Sequence, residues 1–235
     1  MKKVFAIYGA IAFALVIIVC IPAYYIVFMT MRGIKRDRAG HKISQIAGHL
    51  LFFLYGVRVR IINKEYVKSD EVYIFVANHS SLLDVPAVAL ATPNTFKFLA
   101  KYELTKIPLF GYIIKNLYFS VKRTDKDDRA RSMDAMKSCL DRGVSLFIFP
   151  EGTRNKTDEP LAGFYDGAFK LAMHSKRPLL VCTIIGSKKL LMGTSMQPGT
   201  MCCVYSEPFW PGEHDTLETL KDRVRAEMLR NLNAT

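Results

Sequence analysis

The stretch Val72-Tyr73-Ile74-Phe75-Val76-Ala77-Asn78-His79-Ser80-Ser81-Leu82-Leu83-Asp84 joins an uninterrupted apolar run to a polar turn and then to an acidic residue. A short β-rich run bounded by turn residues reads as a buried strand, and the acid beyond the turn reads as a helix start. Runs of the same kind recur at 57–62, 118–121, 145–149, 179–185 and 201–205, with helix-period patterns at 127–142, 167–175 and 216–231. Strands alternating with helices predict an α/β fold, a mostly parallel mixed sheet flanked by helices. In such sheets ligands bind just past the strand ends, so the residues after 77 and after 149 form the candidate site.

The chain has 235 residues, enough for one ordinary domain and an appendage. Its 33 Lys+Arg against 21 Asp+Glu give a net charge of +12, which points to an anionic partner: nucleic acid, a membrane surface or a phosphorylated small molecule. Half the residues are hydrophobic and the mean hydropathy is positive, which excludes a disordered basic tail or a histone-like chain. No aromatic-basic platform or DNA-reading motif appears, so nucleic acid is not the expected partner.

Most of the charge is local, because residues 1–66 hold ten Lys/Arg against only Asp37 and Glu65. It adjoins residues 4–31, a run of 28 without Asp, Glu, Lys or Arg, which as a helix would be about 42 Å long against roughly 30 Å of hydrocarbon. A signal peptide has a shorter apolar core, about 7–15 residues, and a small-residue cleavage site. Pro22 lies within the run and a second, amphipathic apolar segment follows at 43–57. A helix entering one leaflet and turning therefore competes with a spanning one, and both with a helix buried in a soluble core. Arg32, Lys35, Arg36, Arg38 and Lys42 separate the two segments, whereas only Lys2 and Lys3 precede the first. By that asymmetry the C-terminal side is cytoplasmic, with the cations against anionic headgroups. The expected organisation is a hydrophobic, membrane-associated two-helix segment with a basic connector over residues 1–62, then an α/β domain over 63–235. Cys20, Cys139, Cys182, Cys202 and Cys203 are scattered and odd in number, as in a reducing compartment, with no spacing suited to a structural metal.

On a regular helix His79 and Asp84, five steps apart, would stand about 140° around the axis from each other. A touching pair needs a turn entering a helix, with Ser81 as the cap and Asp84 three residues on. In such a pair a neutral imidazole is a suitable base at cytoplasmic pH, and the carboxylate on its other nitrogen fixes the tautomer. No GxSxG elbow accompanies it, so its simplest use is to activate a substrate hydroxyl. The plain alternative is a turn histidine followed by an acid that favours the helix dipole. A second constellation is Phe149-Pro150-Glu151-Gly152-Thr153-Arg154. Pro150 and Gly152 shape a tight turn, Arg154 offers a planar fork for a phosphate, and Thr153 adds a donor. Glu151 is expected to accept a substrate hydroxyl or to hold Arg154 or Arg123, and an ordinary surface turn with an ion pair is the alternative. A third runs from Lys101-Tyr102-Glu103-Leu104 through Ile107-Pro108-Leu109-Phe110-Gly111 to Val121-Lys122-Arg123. There Arg123 is a second phosphate contact or a solvated strand-end cation. Leu104, Ile107, Leu109, Phe110, Tyr112, Ile113 and Ile114 are either core or an acyl-chain groove.

Taken together and in this order, over residues 60–205, these segments resemble the 1-acylglycerol-3-phosphate (lysophosphatidate) acyltransferase family. Its NHxxxxD motif is matched at Asn78, His79 and Asp84, its Glu-Gly-Thr-Arg block at Glu151–Arg154, and the arginine ending its intermediate block at Arg123. The resemblance implies an enzyme in which His79 is the general base and Asp84 orients it. It further implies that Arg123 and Arg154 clamp a phosphomonoester, that Glu151, Gly152 and Thr153 complete the acceptor site, and that Asn78 and Lys101 are further substrate contacts. The implied reaction moves an acyl group from acyl-CoA or acyl-carrier protein to the sn-2 hydroxyl of 1-acylglycerol-3-phosphate, forming phosphatidate without cofactor or metal. Phe164-Tyr165-Asp166-Gly167 carries Tyr where Lys is common, and Pro178-Leu179-Leu180-Val181 lacks the family's second proline. Both departures bear on specificity. Glycerol-3-phosphate or a lyso-ornithine lipid is the alternative acceptor, and a non-catalytic, membrane-tethered lipid or phosphoanion binder is the alternative of another class.

Overall fold

A computed structural model describes residues 2–121, 126–192 and 195–234. Helices α1 (Lys2–Thr30) and α2 (Gly33–Tyr55) form a hairpin turned by Met31 and Arg32. Its antiparallel pairing is fixed at both ends. Tyr8 donates to the Leu54 carbonyl at 2.8 Å and Tyr55 to the Gly9 carbonyl at 2.8 Å, while Tyr24 and Ser44 meet at 2.8 Å near the turn. Gly56 ends α2 at φ +62°, its N–H bonding back to the carbonyls of Phe52 and Phe53. That left-handed cap suits glycine and releases the chain directly into the first strand.

The remaining elements are β1 (Val57–Ile62), β2 (Ile74–Ala77), α3 (Asp84–Ala91), β3 (Phe96–Lys101), α4 (Phe110–Leu117), β4 (Phe119–Val121), α5 (Lys126–Asp141), β5 (Ser145–Ile148), α6 (Gly167–Ser175), β6 (Leu179–Ile185), α7 (Ser187–Leu190), β7 (Leu191–Met192), β8 (Ser195–Met196), β9 (Gly199–Tyr205) and α8 (Leu217–Asn233). Seven strands make one sheet in the order β1-β9-β6-β2-β5-β3-β4. Every neighbouring pair is parallel except β6 with β9, so the sheet is mixed and mostly parallel, as expected. β1 pairs with β9 over its full length, so the sheet begins within residues 57–62, before the sequence boundary at 63.

Alternation along the strands divides the core. Phe75, Phe98, Phe147, Leu180 and Cys182 face a cluster shared with α1, α2 and α3, whereas Ile74, Val76, Leu146, Ile148 and Val181 face α5, α6 and α8. β2 is buried on both faces, which is why its sequence is continuously apolar and not alternating.

β3 does not appear in the sequence reading, because Phe-Lys-Phe-Leu-Ala-Lys interrupts the apolar pattern. Lys97 enters the interior by pairing with Asp37 of α2 at 2.9 Å. Of the apolar residues of the third constellation, Ile113 and Ile114 are core, as one expectation had it, while Leu104, Ile107 and Leu109 are exposed.

α4 turns back so tightly on the preceding segment that a Cβ on Gly111 would stand 2.6 Å from the carbonyl carbon of Thr105. Neither backbone can yield without moving the 102–111 segment. Gly111→Ala should therefore destabilise the fold by about 1–3 kcal/mol, the usual range for overpacking, read as a lowered apparent melting temperature in detergent; an unchanged transition would contradict this packing.

Candidate active site

β2 and β5 are parallel neighbours, so the loops that leave them emerge side by side at one end of the sheet. The loop after β2 is held at each of its first residues. Asn78 is buried and tied to β6 in both directions: its amide donates to the Ile184 carbonyl at 2.8 Å and its side-chain oxygen accepts the Ile184 N–H at 2.7 Å. The next residue is gripped by its main chain, with the His79 N–H donating to Glu151 Oε1 at 2.6 Å and the His79 carbonyl accepting from the Asn155 N–H at 2.7 Å.

α3 begins at Asp84, whose Oδ2 accepts the Ser80 and Ser81 N–H groups at 2.7 Å each and meets His79 Nδ1 at 2.9 Å. The turn required for a His79–Asp84 contact is thus present. Only half of the expected capping arrangement forms: Asp84 reaches back to Ser81, while the Ser81 hydroxyl accepts from Leu83 at 3.3 Å. Pro86 falls in the first turn of α3, where its missing N–H leaves no gap.

Asp84 is fully buried, whereas the His79 side chain retains 16 % exposure. An ionised carboxylate only accepts, so Nδ1 carries the proton and Nε2 has the free lone pair. Nε2 makes no hydrogen bond among the described residues. The imidazole lies against the Phe149 ring, with centroids 4.2 Å apart and planes 20° apart. The imidazole, its carboxylate partner and an aromatic floor are therefore supplied by the two neighbouring strand ends.

Glu151 departs from expectation. It is 3 % exposed, and both its oxygens accept main-chain N–H groups, from His79 at 2.6 Å and from Ala162 at 3.0 Å. A carboxylate occupied in this way holds the His79 loop to the 151–162 loop, and among the described residues it meets no arginine. Asn78 likewise spends its amide on β6. Arg154 and Thr153 are exposed beyond the turn that Gly152 makes at φ +70°, and Arg154 forms no ion pair among the described residues. Lys101, at the end of β3, is exposed and 3.6 Å from Glu103. Arg123 lies outside the described residues; β4 ends at Val121, opposite Lys101 and at the same end of the sheet as His79.

Asn155 and Ser187 did not stand out in the sequence. Asn155 is buried, donates its N–H to His79, and accepts the Thr157 N–H at 2.9 Å. The Asn-Lys-Thr spacing of that Asx turn is the one signal that marks it. Ser187, just after the neighbouring strand β6, meets the Ser80 hydroxyl at 3.2 Å and carries no local signal. No cluster of His, Cys, Asp and Glu suited to a metal occurs among the described residues.

A family model described as Acyltransferase matches residues 58–185. The chloroplastic 1-acyl-sn-glycerol-3-phosphate acyltransferase BAT2 of Brassica napus is 29% identical over 70% of this chain and 48% of its own length. The 1-acyl-sn-glycerol-3-phosphate acyltransferase of Helicobacter pylori is 28% identical over 96% of this chain and 93% of its own. Among solved structures, the 1-acyl-sn-glycerophosphate acyltransferase PlsC from Thermotoga maritima superposes with a TM-score of 0.81 at 26% identity, covering 100% of this chain and 98% of that one. The chain spans about half to two thirds of the length of the plant relatives that it matches.

Burial, above all, raises the Glu151 carboxyl from its ordinary 4.5, with nearby Asp84 adding to the rise and the two N–H bonds opposing it. A raised value in the folded state means that the native protein holds this proton more tightly than the unfolded chain does. The contribution to stability is then complete below pH 4.5 and lost as pH rises through the raised value. Glu151→Gln removes the titration. Across that window the wild type should lose melting temperature relative to the variant as pH increases; a pH-independent difference would contradict a raised carboxyl.

Proposed function

The chain belongs to the Acyltransferase family, and from that membership we propose that it transfers a fatty acyl group to the sn-2 hydroxyl of 1-acylglycerol-3-phosphate, forming phosphatidate. The donor is a thioester, acyl-CoA or acyl-carrier protein. What carries the reading is the 2.9 Å contact between His79 Nδ1 and the buried Asp84 carboxylate, which leaves Nε2 as a base of fixed tautomer. Nε2 takes the acceptor's hydroxyl proton as its oxygen bonds to the thioester carbonyl carbon. Collapse of the tetrahedral adduct breaks the C–S bond, and the departing thiolate recovers that proton from the imidazolium. No covalent enzyme intermediate is needed, because the thiolate is already a good leaving group.

Arg154, exposed beside the Glu151 turn, meets the acceptor phosphate, with Thr153 and the Gly152 turn beside it and Arg123 and Lys101 as further cations. Glu151 and Asn78 serve this site by holding backbone. The names of the bacterial and plant relatives support lysophosphatidate over glycerol-3-phosphate as acceptor.

The hairpin anchors the enzyme. α1 contains Ile7–Thr30, long and apolar enough to cross a bilayer, and exposes Ile11, Ile18, Val19, Ile26 and Met29. It also touches the body along its length, from Gly9 against Met196, through the half-exposed Phe13 against Phe110, to the half-exposed Tyr25 stacked on Tyr112. Contacts spread over some 16 residues, about 24 Å of helix, favour a helix lying in one leaflet beside the domain over one rising away from it. The excess of cations after α1 supports a cytoplasmic position for the domain.

His79→Ala should lower turnover by about 10²–10⁴-fold, the range for a positioned general base, with fold and membrane association unchanged. Retained activity with acyl thioester and lysophosphatidate would overturn the assignment. Arg154→Ala should chiefly raise KM for the phosphorylated acceptor, and unaltered kinetics with lysophosphatidate would remove Arg154 from the site.

A further inference from the structure

Residues 149–166 join β5 to α6 without a helix or strand, and they carry Phe149 against the imidazole, Glu151 on the His79 N–H and the exposed Arg154. A long connection keeps one shape only where its backbone groups find partners. Some of these lie within the loop itself: the Gly152 N–H donates to the Phe149 carbonyl at 3.0 Å and the Tyr165 N–H to the Pro150 carbonyl at 2.8 Å. Others come from later elements. Lys188 of α7 donates to the Thr157 carbonyl at 2.6 Å. Arg225 of α8 donates from Nη1 to the Ala162 carbonyl at 2.8 Å and from Nη2 to the Leu161 carbonyl at 3.3 Å.

Arg225 is used differently from its neighbours on α8. Lys221 meets Asp166 and Glu218, Arg223 meets Asp215, and Arg230 meets Glu227. Arg225 is partly buried and forms no ion pair among the described residues. Its guanidinium lies 5.6 Å from the centroid of the Phe164 ring, and both of its arms go to consecutive carbonyls. A rigid planar fork suits such a pair of acceptors, and a single ammonium does not reproduce it.

One of those carbonyls belongs to a peptide whose other end is already engaged. The Leu161 carbonyl and the Ala162 N–H are opposite ends of one planar trans peptide and point in opposite directions. Arg225 takes the carbonyl, Glu151 Oε2 takes the N–H at 3.0 Å, and Glu151 Oε1 takes the His79 N–H at 2.6 Å. A guanidinium on the carbonyl fixes the plane of the peptide and polarises the N–H at its far end. If that peptide rotated, Oε2 of a buried carboxylate would lose its donor, which is costly. Glu151 would then shift, and the His79 main chain with it. We infer that Arg225 is a positioning residue for His79, which it holds in place through the Leu161–Ala162 peptide and Glu151. α8 is thereby part of what fixes the site, although it lies beyond residues 58–185 that match the family model. The consequence for turnover rests on the general-base reading of His79, whereas the mechanical linkage does not.

Hydrogen–deuterium exchange of the full chain in detergent, read by mass spectrometry on fragments covering 78–84 and 160–166, follows the linkage directly. Arg225→Gln should speed exchange in both fragments about tenfold while fragments from β6 stay as in the wild type. It should also lower kcat about 10–100-fold, the scale for a slightly misplaced reacting group. Arg223→Gln removes a cation of the same helix that binds Asp215 instead, and it should leave exchange at 78–84 and kcat within about twofold of the wild type. Equal effects of the two substitutions would mean a weakened helix and would overturn the inference. Added to Glu151→Gln, Arg225→Gln should cost no more than about a further twofold in kcat, because both break one chain of contacts. Fully multiplicative losses would overturn it as well. Should Arg225→Gln fail to fold, Arg225→Lys, which keeps the charge but not the fork, should still exchange faster than the wild type at 78–84. Wild-type exchange there in a folded Arg225 variant removes the linkage. Faster exchange at 78–84 with undiminished kcat leaves the linkage standing and counts instead against His79 as the base.

Discussion

The buried carboxylate of Asp84 decides where the imidazole stands. Removing such a charge from water costs several kcal/mol. Here that is offset by two main-chain N–H donors, the imidazole N–H and the positive end of α3. The three donors to Oδ2 lie within the six residues from His79 to Asp84, so that oxygen is satisfied only when this loop folds back on the helix it precedes, while Oδ1 is buried without a hydrogen-bond partner among the described residues. The contact between base and carboxylate is therefore the condition under which the loop closes at all.

A second buried carboxylate supports the first without duplicating it. Glu151 touches no side chain of the pair; it takes the His79 N–H and ties the loop to the segment ending at Ala162. The two acids occupy one small region, and their mutual repulsion contributes to the rise of the Glu151 carboxyl. They are separated in function by what each accepts: Asp84 accepts a hydrogen bond from the imidazole as well as from backbone, whereas Glu151 accepts from backbone only. The parallel adjacency of β2 and β5 makes this possible, because loops from neighbouring parallel strands leave at the same end.

The parts of this arrangement that sequence discloses are those whose cause is local. The strand at Ile74–Ala77 is legible because both of its faces are buried, and the His79–Asp84 contact because its spacing admits a single turn. β3 is hidden because Lys97 looks misplaced in a strand until Asp37, 60 residues earlier, comes to meet it. Asn78 and Glu151 were visible as residues but not in what they do, since their partners are main-chain atoms 106 and 72 residues away. Side-chain identity advertises chemistry. Backbone partners leave no trace in composition or periodicity, so residues that hold a site in place are read as residues that touch its ligand.

The same long-range packing links His79 to the hairpin. His79 stacks on Phe149, Phe149 lies 6.1 Å from Phe98, Phe98 meets Tyr118 edge-on at 5.2 Å, and the Tyr118 hydroxyl is 3.4 Å from Ser44 of α2. Ser44 in turn bonds Tyr24 of α1. Close-packed rings transmit position well because none can shift without displacing the next. On the membrane-bound reading proposed above, a hairpin fixed at one depth in a leaflet would fix the depth of Nε2, and an acceptor confined to the bilayer would offer its hydroxyl at a nearly constant height, so that height would need to be matched only once, in the fold. The departures at Tyr165 and after Pro178 leave this row of contacts untouched, and variation in specificity can occur around a base whose placement relative to the membrane is conserved by packing alone.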